Sequence, residues 1–261
     1  MTAAGTVGRR RLPAAVPVAI ALAWAAAVAA HATGVADRFH HDALLAHGGI
    51  GLAGVGGYAL VWCVMVGAMM LPSAVPLLRL FAEVSGRQAR PGRLLACFAA
   101  GYLAIWALFG WAALAFDDGV HRAAHALPWL AAHPWLVGAA TLGLAGAFQF
   151  SSLKDRCLTA CRHPAAYLLR HYRRGPAAAF RLGWGHGLYC LGCCWALMLV
   201  MFAAGVADLR WMAALAALMA YEKIGRHGQA VAAAAGVVAL ALALLVALHP
   251  VWLPSLLLGQ R

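Results

Sequence analysis

Between residues 185 and 198 the chain reads Gly185-His186-Gly187-Leu188-Tyr189-Cys190-Leu191-Gly192-Cys193-Cys194-Trp195-Ala196-Leu197-Met198. Three thiols, an imidazole and a thioether so close together form a donor set for a soft metal ion. Thiolate and thioether ligands select ions such as Cu(I), whereas imidazole also suits zinc and iron. Residues three or four apart share a helix face. His186, Cys190, Cys193 and Cys194 therefore line one side of a helix, and Met198 and Met201 continue the same stripe. Copper(I) is the first expectation for this set and zinc the second. The pair Cys190 and Cys193 also has the C-x-x-C spacing of thiol–disulfide oxidoreductases, whose reactive thiol commonly sits at a helix N-terminus. Here the pair lies well inside an apolar run. The adjacent Cys193 and Cys194 suit ligation better than two-thiol cycling.

Two further segments could complete such a site. In Met65-Val66-Gly67-Ala68-Met69-Met70-Leu71-Pro72-Ser73, helical spacing puts Met65, Met69, Pro72, Ser73 and Pro76 on one face. Pro72 cannot donate to the carbonyl of Ala68. A carbonyl freed at membrane depth needs a partner or a cavity, so a kink beside two thioethers would make a wall of the site. In Leu153-Lys154-Asp155-Arg156-Cys157-Leu158-Thr159-Ala160-Cys161-Arg162, a helix would bring Cys157 and Cys161 to one side. The chain's two lysines, Lys154 and Lys223, both fall beside these motifs, whereas its other basic side chains are all arginine. Lysine presents a compact ammonium that arginine does not. Packing is the competing explanation for each piece, since cysteine and methionine are common core fillers. Packing is the favoured reading for Cys63 and Cys97, and a weak ion pair at the membrane surface is a plain reading for Glu222 and Lys223.

The elements that would position these donors are membrane helices. The 261 residues are 64% hydrophobic and 11% charged, against about half and about a quarter in a soluble domain. About 20 successive apolar residues cross a bilayer core. Seven spans are expected, at 14–32, 55–77, 94–116, 129–150, 182–205, 207–224 and 229–248. The sixth is short, with Asp208 and Arg210 at its start. The first also resembles a signal peptide, with Arg9, Arg10 and Arg11 before an apolar run that ends in Ala30-His31-Ala32. Cleavage there would leave six spans. The fold class expected is all-α, a polytopic transmembrane bundle forming one integral membrane domain over residues 1–261.

The net charge of +12 follows the membrane and gives no reason to expect a nucleic-acid partner. With the N-terminus inside, 16 of the 20 basic residues fall in cytoplasmic segments, and Arg38, Arg122, Arg210 and Arg261 outside them. This is the positive-inside bias, and such loops also meet anionic lipid headgroups. The expected placement is a bacterial cytoplasmic membrane, with residues 151–181 as a basic inner loop. His40, His41, His47, His121, His125 and His133 belong to outer loops as solvated side chains. Cytosolic thiols stay reduced, and seven cysteines cannot all pair. There is no C-x-x-C-H for haem, no phosphate-binding glycine loop and no serine nucleophile motif, and nothing points to a hydrolase.

The ordered set Ala68-Met69-Met70-Leu71-Pro72-Ser73, Leu153-Lys154 with Cys157 and Cys161-Arg162, His186-Gly187 with Cys190-Leu191-Gly192-Cys193-Cys194-Trp195 and Met198, Trp211-Met212, and Glu222-Lys223 resembles a bacterial family of integral membrane proteins of unknown function. Its members are described as metal-binding. The resemblance covers roughly residues 55–245. It implies a helical membrane fold and a metal site at the cysteine block, and leaves metal and activity open. The leading functional reading is a membrane protein that binds a soft metal and passes it on. It would act as a permease or in assembling a cuproenzyme, with a metal chaperone or that enzyme as partner. The alternatives are a membrane thiol–disulfide oxidoreductase and a structural subunit without metal.

Overall fold

A computed structural model describes residues 14–35, 52–133, 135–204 and 208–249. Arg9, Arg10, Arg11, His40, His41 and His47 lie outside the described residues. Among those described there are eleven helices and no strand. They are α1 (Ala15–Ala32), α2 (Leu52–Met69), α3 (Leu71–Ser85), α4 (Pro91–Ala126), α5 (Pro128–Ala131), α6 (Trp135–Phe148), α7 (Ser152–Arg162), α8 (Pro164–His171), α9 (Pro176–Ala204), α10 (Leu209–Ile224) and α11 (Gly228–Leu248).

Four of these, α1, α4, α9 and α11, are long and apolar enough to cross a membrane unbroken. Two more spans arise if the bent pairs α2–α3 and α6–α7 each count as one, with bends of 68° and 63°. The expected sixth, at 207–224, is the 16-residue helix α10. At 1.5 Å per residue it reaches about 24 Å, short of a core of about 30 Å. Among the described residues, four to six helical segments are therefore long and apolar enough to be spans, in place of the seven expected.

The first bend falls where proline requires it. Pro72 occupies the first turn of α3, where its missing N–H costs nothing. The carbonyl of Ala68 that it cannot serve accepts the indole N–H of Trp24, from α1, at 3.0 Å. The Met70 carbonyl at the break accepts from Ser73 Oγ at 2.8 Å and from the Tyr102 hydroxyl at 3.2 Å. Both ends of the break are thus satisfied by side chains.

The second bend leads into residues 151–181, expected as a basic inner loop, with a helix considered at its C-x-x-x-C. Two helices, α7 and α8, and the start of α9 lie there. Ser151 caps α7 by accepting from the Lys154 backbone N–H at 3.1 Å. Lys154, Cys157, Leu158 and Cys161 turn inward and are buried. Apolar α7 positions and the two thiols recur at helical spacing, so the segment folds back under the bundle.

The most extensive helix pair is α4 with α9. Their backbones meet at two glycines: a Cβ on Gly101 would strike the Phe180 carbonyl, and one on Gly183 the Phe98 carbonyl. Small residues permit this approach in an apolar medium. The outward faces stay apolar, with Leu22, Leu60, Leu108, Phe116, Val237 and Leu244 exposed. A soluble monomer rarely shows so much exposed apolar surface, and lipid contact accounts for it. Cys63, expected in the packing, also lies on this outer surface, and Cys97 is half-buried.

Candidate metal centre

The stripe on α9 faces the centre of the bundle. His186, Cys190, Cys193, Cys194, Met198 and Met201 are all buried. Met65 and Met69 on α2, and Cys157 and Cys161 on α7, are buried in the same core, as is Met219 on α10. Every methionine from Met65 onward, including Met70 and Met212, belongs to that core. Unselective packing would leave some at the lipid face, where many leucines and valines stand.

Cys190 is the hub. Its Sγ lies 3.1 Å from the Tyr102 hydroxyl and 3.0 Å from Lys223 Nζ, which donates to it. Lys223 Nζ also donates to Ser73 Oγ at 3.2 Å and reaches Cys194 Sγ at 3.9 Å. Cys193, Cys194 and, from α7, Cys161 are buried in the same core. With Cys190 they make one buried thiol cluster drawn from α7 and α9. Cys157 stands beside it, packed over Gly192, where a Cβ would come within 2.6 Å of its Sγ. The glycine in the Cys190-to-Cys194 run thus makes room for the α7 thiol.

His186 is buried among rings, with Tyr102, Tyr167 and Phe98 at centroid distances of 5.7, 5.8 and 6.4 Å. It shares the α9 face with the thiols, one turn from Cys190. Among the described residues no three His, Cys, Asp or Glu side chains stand as a ready coordination set. The cause is local. Cys193 and Cys194 donate their S–H groups to the Cys190 carbonyl, at 3.0 and 2.9 Å. Both thiols are turned back on their own helix, and a metal would claim them by side-chain rotation.

A buried ionic layer closes one end of the cluster. Lys154 Nζ meets Glu222 Oε2 at 2.7 Å, both side chains almost wholly inaccessible. Gln149, in the second break, donates to Glu222 Oε1 at 3.3 Å. Arg162 donates to the Glu222 and Gly225 carbonyls at 2.6 and 2.9 Å, holding the end of α10. The surface pairing of Glu222 with Lys223 is overturned. Glu222 pairs with Lys154 from α7, and Lys223 turns to the thiols. Adjacent residues on a helix point about 100° apart, so one bond to each neighbouring helix replaces a bond between them.

Tyr102 and Gln149 were not anticipated as parts of this assembly. A lone tyrosine in an apolar helix carries no spacing signal, and Gln149 lies in a turn without a motif. Of the histidines expected in outer loops, His133 is half-buried, with its ring nitrogen on the Trp129 carbonyl at 2.7 Å.

The donor set is thus made of soft sulfur groups and one imidazole in a largely apolar surround. No curated protein and no solved structure matches the chain. Residues 59–246 match the family described as PpoB2, copper chaperone, and they include every thiol, thioether and charged group of the cluster. This chain belongs to the PpoB2 copper chaperone family.

Proposed function

We propose that the whole chain acts as a single membrane unit that takes up Cu(I) as cargo on Cys190 and Cys194. Cys193 or His186 supplies a further donor, Cys157 and Cys161 stand by as exchange thiols, and Met65, Met69 and Met198 act as the onward relay. The ion is handed to a cuproenzyme during its assembly, or across the bilayer. The observation that carries this reading is the burial of four thiols in one core that also contains every methionine from Met65 onward, in a chain of the copper chaperone family. Thioethers bind Cu(I) without adding charge, so the ion keeps its positive charge on them and is held less firmly than on thiolates, which suits a transient relay.

Protein purified in lipid under reducing conditions is expected to take up one equivalent of Cu(I) tightly. Thiolates must lose their protons to bind, so affinity falls as the pH is lowered. Zinc retained in preference to copper, or no retained metal, would remove the copper assignment.

The excess of arginine in these segments supports a topology with the N-terminus and residues 151–181 on the cytoplasmic side of a bacterial inner membrane, where a soluble thiol carrier could deliver copper. Reporter fusions made at Gly175 are expected to read cytoplasmic. A periplasmic reading there would put the thiol-bearing α7 end on the receiving side and reverse the direction of hand-off.

A further inference from the structure

We infer that Lys223 makes the thiol cluster selective for a monovalent over a divalent ion. The inference rests on the copper reading above, and it concerns a residue that is not itself a ligand.

Lys223 is 4% exposed. The polar groups facing it come from two helices: Cys190 and Cys194 on α9, at 3.0 and 3.9 Å, and Ser73 on α3, at 3.2 Å. Tyr102 on α4 stands behind Cys190. None of these is a carboxylate. The other buried cation of the cluster, Lys154, is matched by Glu222 at 2.7 Å. Lys223 is therefore a positive charge whose counter-charge must come from the thiols.

Charge in an apolar interior is costly unless it sums to zero locally. Two thiolates, the Lys223 ammonium and one Cu(I) ion sum to zero. A divalent ion on the same two thiolates leaves one positive charge unbalanced beside the ammonium. A neutral third donor, His186 or a methionine, changes neither sum, whereas a third thiolate from Cys193 would reverse the preference, so the inference takes His186 or a methionine as the further donor. Without the ammonium the arithmetic reverses: the Cu(I) pair carries a net negative charge, and the divalent pair becomes neutral. The ammonium also donates a hydrogen bond to the Cys190 sulfur, and such outer partners typically alter metal affinity by about 10- to 100-fold.

The test uses the full chain in lipid nanodiscs under reducing conditions, with Lys223→Met, Lys223→Gln and Lys223→Arg. Cu(I) affinity is read by competition with a chromophoric Cu(I) chelator, and Zn(II) affinity with a zinc indicator. Both neutral variants are expected to lose Cu(I) affinity about tenfold or more while gaining for Zn(II), shifting the ratio about 100-fold. Lys223→Arg keeps the ratio of the parent. Neutral variants that retain the parental ratio overturn the inference while leaving copper binding intact, as does an arginine variant that shifts as far as they do. If none of the three variants folds, Lys223 is a structural pin and the inference fails. A parent that binds no Cu(I) removes the copper reading and this inference together.

Discussion

Replacing Cys190 by Ser is expected to abolish copper retention, a loss of more than about 100-fold in affinity, in protein that still folds and inserts. A hydroxyl can keep the contacts that Cys190 makes with Tyr102 and Lys223, so the packing changes little. What disappears is the soft, ionisable donor at the point where α4, α9 and α10 meet. A serine oxygen neither ionises readily nor suits Cu(I). Met69→Leu should only weaken binding, because a thioether contributes no charge and leucine fills nearly the same volume. Metal content of the purified, monodisperse variants measures both. The strongest form removes Cys190, Cys193 and Cys194 together. If that variant retains copper like the parent, the thiol cluster is packing and the function proposed here is wrong.

The second large effect concerns stability. Glu222→Ala leaves the Lys154 ammonium buried without its carboxylate and takes away the acceptor of Gln149. Removing one partner of a buried ion pair typically costs about 3–5 kcal/mol. The variant should unfold at markedly lower temperature or denaturant, or fail to accumulate in the membrane. Lys154→Met combined with Glu222→Leu removes both charges at once and should recover most of the loss. Equal stability of Glu222→Ala and the parent would show that water reaches Lys154, contrary to the burial of both side chains. This pair joins α7 to α10, so its loss should also loosen Cys157 and Cys161 from the α9 thiols.

Much of this architecture was legible in the sequence, for physical reasons. Apolar runs of membrane length mark the helices because nothing else satisfies backbone groups in lipid. The α9 stripe was legible because helical spacing alone orients His186, Cys190, Cys193 and Cys194. The break after Met69 was foreshadowed by Pro72, yet its partner Trp24 lies 44 residues away, and no local rule connects them. The helix over Cys157 and Cys161 was legible in their spacing. The arginines beside it gave no sign that Lys154 and Leu158 would be buried on the same face of α7. Glu222 and Lys223 did mislead. Adjacent opposite charges suggest a pair, but their actual partners come from α7 and α9, a choice made only when the helices assemble. Lys154 and Lys223, the two departures from an arginine-only chain, turned out to be the two lysines at the cluster.

The thiols of Cys193 and Cys194 rest on the Cys190 carbonyl, which also serves the regular helical ladder of α9. When a metal takes those two sulfurs, that carbonyl still has its backbone donor, and no polar group is stranded. At the thiols themselves, binding asks two side chains to turn, a movement of picoseconds to nanoseconds at an exposed site and slower in a packed one. The tempo of delivery would then be governed by how quickly sulfur ligands trade places on the ion, so the donor and recipient proteins would set the rate of exchange.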